Sequence, residues 1–300
     1  MDLSGWSVIS PEPGGRDQRK AWMAARSDAA RSDHWLWKPR TLTDNGTVPA
    51  LNDVAEVVSS RIAMRIGLPS AECQYALWKG EQGVVSRNVT PSGYDLHDAE
   101  TYLSAVEGYS RRSPQFDDVG NQRGRLRSDV GYTLDAVVEV LDGLTGPPGW
   151  EEMTAYQVFA GFLVLDALVA NGDRHPRNWA VLERRSDGCR AIAPTFDHGS
   201  SLGSGLSDER RATRDPRAFC RGGFANPFTS RPLLLDLARR AVNDAAASFW
   251  FERVADLGSD DFDAAVTAPS GRLSVVASTF IGQVLTINRE RLCDVDDSQD

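Results

Sequence analysis

The sequence has no Gly-x-x-x-x-Gly-Lys-Ser/Thr loop, which excludes a P-loop nucleotide-binding architecture. It also lacks paired cysteines. Cys73, Cys189, Cys220 and Cys293 are scattered without metal-type spacing, so reduced thiols in a cytoplasmic protein are expected rather than a disulfide framework or a cysteine zinc site. Basic residues are in deficit, 33 Lys and Arg against 42 Asp and Glu, for a net charge of −9. That balance excludes a general nucleic-acid or acidic-membrane binder while leaving room for a local basic groove. Long apolar runs are missing near the central motif described below: the longest, Val158–Leu165, counts Gly161 and is far short of the roughly 20 residues a membrane span needs. The start, MDLSGWSVIS, has neither a basic opening nor an apolar stretch, so no signal peptide is expected. What remains, 41% hydrophobic and 25% charged over 300 residues, is enough to build one large or two modest domains with a real core.

Chemistry concentrates between Gly161 and Gly203. An apolar helical run, Val158 to Ala170, is interrupted by Asp166 and ends in the polar loop Asn171-Gly172-Asp173-Arg174-His175-Pro176-Arg177-Asn178. Trp179–Leu182 and Cys189–Ala193 read as a hairpin around Ser186-Asp187-Gly188, and a second acidic loop, Thr195-Phe196-Asp197-His198-Gly199, follows. Asp173 and Asn178 are five apart, the separation of the catalytic Asp and Asn of protein kinases, and the hairpin can bring Asp197 to them. In phosphoryl transfer one carboxylate receives the acceptor's hydroxyl proton, and an Asn and a second Asp hold Mg²⁺ against the nucleotide phosphates. Two protein oxygens suffice for that hard cation because substrate phosphates supply more ligands. Asp173, Asn178 and Asp197 are therefore the candidate catalytic residues, the last two as metal ligands.

These residues carry a resemblance. Asn-Gly-Asp-Arg-His-Pro-Arg-Asn, followed by Ala193-Pro194-Thr195-Phe196-Asp197, resembles the catalytic signature of the HipA-type kinases, a family related to the phosphatidylinositol kinases. Trp35-Leu36-Trp37-Lys38-Pro39 is similar to the family's strand with an ATP-contacting lysine, and the helix from Asn52 with Glu56 is similar too. The resemblance spans roughly residues 10–210. It implies an α+β, bilobal protein-kinase-like fold, with a small β-rich N-terminal lobe (1–92) and a larger, mainly helical C-terminal lobe (93–300). It also implies ATP and Mg²⁺ as cofactors, Lys38 as a phosphate contact, and a Ser or Thr hydroxyl of a protein as acceptor. A glycine loop precedes the lysine strand in the family, and Gly14 and Gly15 stand in that place.

In chain order, residues 1–20 read as a Ser-, Pro- and Gly-rich loop, and Gly14-Gly15 either covers phosphates or belongs to an irregular tail. Ala21–Arg26 and His34–Pro39 read as paired strands. Asn52 or Asp53 caps a helix whose apolar positions Val54, Val57, Val58, Ile62 and Ile66 recur at helical spacing, and Gly67 stops it. Glu56 lies off that stripe and faces either Lys38, as the kinase analogy has it, or water. Cys73–Lys79 and Gly83–Val89 form a hairpin around Gly80-Glu81-Gln82, and Thr90–Tyr94 is the hinge where an adenine would sit. Helices are expected at 98–106 and Thr133–Leu144. Another begins near Glu151, with acids in its first turn to suit the helix dipole, and its Asp166 either braces the loop that follows or lies exposed on a polar flank. His198–Ala212 is a serine- and glycine-rich continuation, and the basic Arg210–Arg221 offers part of an acceptor site. Pro232–Ala247 and Pro269–Leu292 are helical by periodicity. His175, two residues past Asp173, is placed either at the cofactor or as a brace for its own loop.

Two other readings compete. Asp173, His175, Asp197 and His198 could ligate a transition metal in a phosphohydrolase, at the cost of leaving Lys38 and Asn178 without roles. Alternatively the fold binds nucleotide without activity. Within the kinase reading the acceptor is a protein, the chain itself or a small-molecule hydroxyl.

Overall fold

The structure, a computed structural model, describes residues 1–11, 19–43, 48–111 and 129–294. The first half builds one antiparallel sheet and one helix. Strands β1 (Ser7–Pro11), β2 (Ala21–Ala24) and β3 (Trp35–Pro39) are followed by helix α1 (Asn52–Arg65), then β4 (Cys73–Trp78) and β5 (Glu81–Arg87). The sheet order is β1-β2-β3-β5-β4. Trp37, Met23, Ala76, Val85 and Leu3 bury one face of it, and α1 covers the other with Val54, Val57, Val58 and Ile62. The α1 stop is a Schellman motif: Gly67, at φ +62°, lets its own N–H reach Met64 O while the Leu68 N–H reaches Ala63 O.

The second half is mostly helical. After β6 (Tyr94–Asp98) and α2 (Ala99–Leu103) come α3 (Leu134–Leu141) and α4 (Ala155–Leu168), then the hairpin β7 (Ala180–Arg184) and β8 (Arg190–Ile192). Helices α5 (Asp208–Thr213), α6 (Pro216–Arg221), α7 (Leu234–Asp244), α8 (Phe249–Ala255), α9 (Ser259–Val266) and α10 (Val275–Cys293) complete the chain. Helix α4 is apolar around its circumference and buried from Val158 to Leu168, as a helix surrounded by others must be. No helix among the described residues is long and apolar enough to cross a membrane.

The α+β class, with a β-rich N-terminal sheet and a helical C-terminal part, agrees with the sequence reading, and several local details differ from it. Residues 1–20 are not all loop: β1 pairs with β2, and Leu3 is fully buried. The first hairpin turns at Lys79-Gly80, both at positive φ, so β5 already begins at Glu81. Helix α4 starts at Ala155 rather than near Glu151, because Thr154 and Gln157 form a reciprocal capping box. Neither Asn52 nor Asp53 caps α1. The Asn52 amide instead ties the helix start to β3, accepting from the Thr41 N–H at 2.9 Å and donating to Pro39 O at 3.2 Å. Asp53 is fully buried between Arg40 (2.9 Å) and Arg272 (3.0 Å). Arg272 also donates to Gly83 O and Ala76 O, so one buried carboxylate joins the sheet, α1 and the segment before α10. Residue 83 is glycine because a Cβ there would stand 2.3 Å from Lys38 O.

Candidate active site

Lys38, near the end of β3, has its side chain buried to 9% exposure and bonds two carboxylates: Glu56 Oε1 at 2.6 Å and Asp197 Oδ1 at 2.7 Å. Glu56 therefore faces Lys38 rather than water. Its second oxygen accepts the His198 backbone N–H at 2.9 Å, which fixes the acidic loop to α1. Burial alone would favour a neutral amine at Lys38, but Asp197 and Glu56 outweigh it and hold the ammonium charged, with its pKa raised. The same ammonium holds Asp197 well below the usual carboxylate range against the opposing effect of burial. Burial pushes the Glu56 pKa upward, and Lys38 opposes it. Asp197 keeps 40% of its side chain exposed and sits at φ +63°, a left-handed conformation that non-glycine residues enter at a cost.

The loop after α4 hangs on one carboxylate. Asp166, with no exposed surface, accepts two hydrogen bonds from Arg174 (2.8 and 2.7 Å) and one from Asn171 (2.8 Å). Arg174, also buried, donates onward to Asn178 O at 2.7 Å. Asn178 Nδ2 donates to Asp173 O at 2.7 Å, and the Trp179 indole reaches the Arg174 carbonyl through the Tyr132 hydroxyl. Asp166 is thus the brace that the sequence suggested. His175 accepts the Arg177 N–H on Nδ1 at 3.2 Å, a contact internal to the loop.

Asp173 is half-buried at the mouth of this loop, and Ser200 Oγ donates to its Oδ2 at 3.1 Å. Burial raises the Asp173 pKa and Asp197 adds to the rise, while His175 and Ser200 oppose it. Ser200 was not foreseen from sequence, where it is one of several small polar residues in a glycine-rich stretch. Removing it deletes a hydrogen bond that favours the ionised carboxylate. If Asp173 must be ionised to work, activity falls as pH drops through its pKa. Ser200→Ala is therefore expected to move the acid limb of the pH–rate profile to higher pH. A limb that stays put or moves down would separate Ser200 from Asp173.

Two cavities meet at this point. One, of about 290 Å³, is lined by Lys38, Glu56, Asp197 and Lys20. The other, of about 430 Å³, is lined by Asp173 and the residues beyond it. Ser200, Ser204 and Gly205 line both. Lys20 is a second residue missed in the sequence, where nothing separates it from the polar stretch before β2. Gly14 and Gly15, assigned to a phosphate loop, lie outside the described residues.

The side chains fit a small oxygen-loving cation. Asn178, buried and in the lining of neither cavity, commits its amide nitrogen to the loop and keeps a carbonyl oxygen that could serve a cation, and Asp197 supplies a carboxylate that stays ionised. No group of three His, Cys, Asp or Glu converges as a metal cluster among the described residues. His198, the proposed fourth ligand of a hydrolase site, is buried with its ring against Thr195, and burial depresses its pKa.

The sequence pattern of the HipA-like C-terminal domain matches residues 13–244. The chain belongs to that family. The matched region includes β2 to β5 with α1, the braced loop and the acidic loop, and it extends past about residue 210, where the sequence resemblance ended, to the end of α7. No curated protein matches in sequence. In three dimensions the family member described here is similar to the proinflammatory kinase CtkA of Helicobacter pylori. That structure has a TM-score of 0.64 at 15% identity, covering 97% of this chain and 98% of that one. HipA of Shewanella oneidensis MR-1, solved with HipB and operator DNA, gives 0.54 at 10% identity, covering 96% of this chain and 63% of that one. At these identities the likeness speaks for a shared kinase fold.

Proposed function

We propose that this family member is a Mg²⁺-dependent kinase that moves the γ-phosphoryl group of ATP to a Ser or Thr hydroxyl of a protein. The observation that carries the reading is the Lys38–Glu56–Asp197 arrangement beside the Asp173–Asn178 loop, at the junction of two cavities. An Mg²⁺ ion would be held by Asn178 and Asp197, and when bound it neutralises charge on the phosphates. Lys38 contacts phosphate in the smaller cavity, with Glu56 keeping it aimed. Asp173 accepts the acceptor's proton, and its raised pKa keeps it basic enough to do so. The boundary between lobes falls at 92/93, with Thr90–Tyr94 as hinge. A transition-metal hydrolase gives Lys38 nothing to do and lacks a converging ligand group among the described residues.

Thermal unfolding tests this without knowledge of the acceptor. A ligand that binds only the folded state stabilises it by about 2.7 kcal/mol at a hundredfold excess over Kd, a rise of a few degrees in Tm for a protein this size. Mg²⁺-ATP is expected to give that rise, Lys38→Met to weaken it, and Asp197→Asn to shrink the Mg²⁺-dependent part. Folded protein that shows no rise in millimolar Mg²⁺-ATP would sink the kinase reading. Transfer of label from γ-labelled ATP then separates an active kinase from an inactive nucleotide-binding module.

A further inference from the structure

We infer that the 430 Å³ cleft on the far side of Asp173 is the acceptor subsite, and that it takes a Ser- or Thr-bearing peptide segment with acidic side chains beside the hydroxyl, read by Arg214. This rests on the kinase reading above and adds the acceptor's chemistry to it. The cleft is lined by Asp173, Ser200, Leu206, Phe219, Phe224 and Leu234. Ser200 is shared with the smaller cavity, so a hydroxyl that replaces the Ser200 hydroxyl on Asp173 Oδ2 stands where the two spaces meet.

One wall, with Phe224 and Asn226, is fixed to the catalytic loop. The Asn226 backbone N–H and side-chain amide both donate to Gly172 O, at 3.1 and 3.2 Å. A Cβ on residue 172 would lie 2.7 Å from Phe224 O, so a glycine there lets wall and loop touch. The wall is amphipathic. Phe224 keeps 43% of its surface exposed, with the Arg231 guanidinium 5.8 Å from its ring centroid, and Arg214 lies 5.3 Å from that of Phe219.

Charge decides the acceptor. Residues 207–231 contain six arginines against three acids, in a chain whose net charge is −9. Two of the acids are already engaged: Asp208 pairs with Arg211, and Asp215 caps α6 by accepting the Arg217 N–H. Arg217 is directed to Glu290, while Arg214 is exposed and lines the cleft. Arg214 is the one cation among the described residues that line the cleft, set among Phe219, Phe224 and Leu234, and that pairing of charge with apolar surface complements an acidic segment with an apolar residue near its hydroxyl. A peptide supplies hydroxyl, apolar side chain and carboxylate together. A small polyol would leave Phe219, Phe224 and Leu234 unmatched.

The test uses two fluorescent ten-residue peptides, each with one Ser and one Leu, flanked by Glu in one and by Lys in the other. Binding to the full chain is followed by anisotropy and phosphorylation by label transfer. The Glu peptide is expected to bind about tenfold tighter, because the swap turns a surface attraction into a repulsion of similar size. Arg214→Glu should abolish or reverse that preference and Arg214→Lys should retain it. Arg217→Glu, the same charge change on α6 away from the cleft, should keep most of it. Equal binding of the two peptides, an unchanged preference in Arg214→Glu, or an equal loss in Arg217→Glu overturns the assignment. The Mg²⁺-ATP shift in Tm, measured on the same variants, reports whether they fold and keeps the two claims apart. A normal shift with no peptide preference removes the cleft alone, whereas an intact preference with no shift removes the kinase reading.

Discussion

Asp173→Ala is expected to lower phosphoryl transfer by about 10²–10⁴-fold, the range for losing a positioned acid–base group, while the Mg²⁺-ATP shift in Tm stays close to that of the wild type. The separation follows from position. Asp173 lines the larger cleft, whereas Lys38, Glu56 and Asp197 line the smaller one. Its backbone is held by others: Asn178 takes Asp173 O, and Asn171 accepts the Asp173 N–H at 3.3 Å, so the loop loses little support when the carboxylate goes. Asp173→Asn keeps a partner for Ser200 but cannot take a proton, and it should be nearly as inactive as the alanine variant. Single-turnover transfer from labelled ATP measures both. A variant that transfers at near-wild-type rate would remove Asp173 from the chemistry, and one that loses nucleotide binding as well would show that the loop had moved.

The site was legible in the sequence where its parts are close along the chain. Asp166, Asn171, Asp173, Arg174 and Asn178 fall within thirteen residues, and a helix end followed by a loop fixes their relations almost unaided. The Lys38–Glu56 pair, 18 residues apart, was readable only through the kinase resemblance, because the helical pattern by itself left Glu56 facing either Lys38 or water. What could not be read depends on distant partners. Strand β1 has weak local signals and exists because β2 offers it an edge. β6 is similarly short and owes its place to β7, 86 residues further on. Asp53 looks like a helix cap until Arg272, 219 residues away, reaches it. The start of α4 illustrates a local conflict. Glu151-Glu152 and the Thr154–Gln157 box both signal an N-terminus, and the choice falls to Thr154, which is bridged to Thr145 while Glu151 and Glu152 lie in a turn before it. Ser200 and Lys20 carry no signal of their own: Ser200 became visible through its bond to Asp173, and Lys20 as a cavity wall.

The largest stability effect is expected at Asp166, a residue that lines neither cavity. Asp166→Ala leaves the Arg174 guanidinium buried without its carboxylate, and breaking a buried ion pair from one side costs about 3–5 kcal/mol. For a chain of this size that is a fall in Tm of roughly 10 °C. Asp166→Asn retains shape and one acceptor oxygen but not the charge, so it should fall between the alanine variant and the wild type. Arg174 also holds the Asn178 carbonyl, so the damage passes to the proposed metal ligand: in whatever fraction stays folded, the Mg²⁺-dependent part of the ATP shift should shrink. The paired change Asp166→Leu with Arg174→Met provides the control. It removes both charges together and should recover much of the stability, because an apolar pair of similar volume escapes the desolvation cost. It should not recover phosphoryl transfer, because Asn171 and Asn178 would still lack the partners that shape the loop. Equilibrium unfolding in urea with parallel transfer assays measures both quantities. Stability within about 1 kcal/mol of wild type for Asp166→Ala, a typical cost for an ordinary point mutation, would mean that the buried network does not hold this loop.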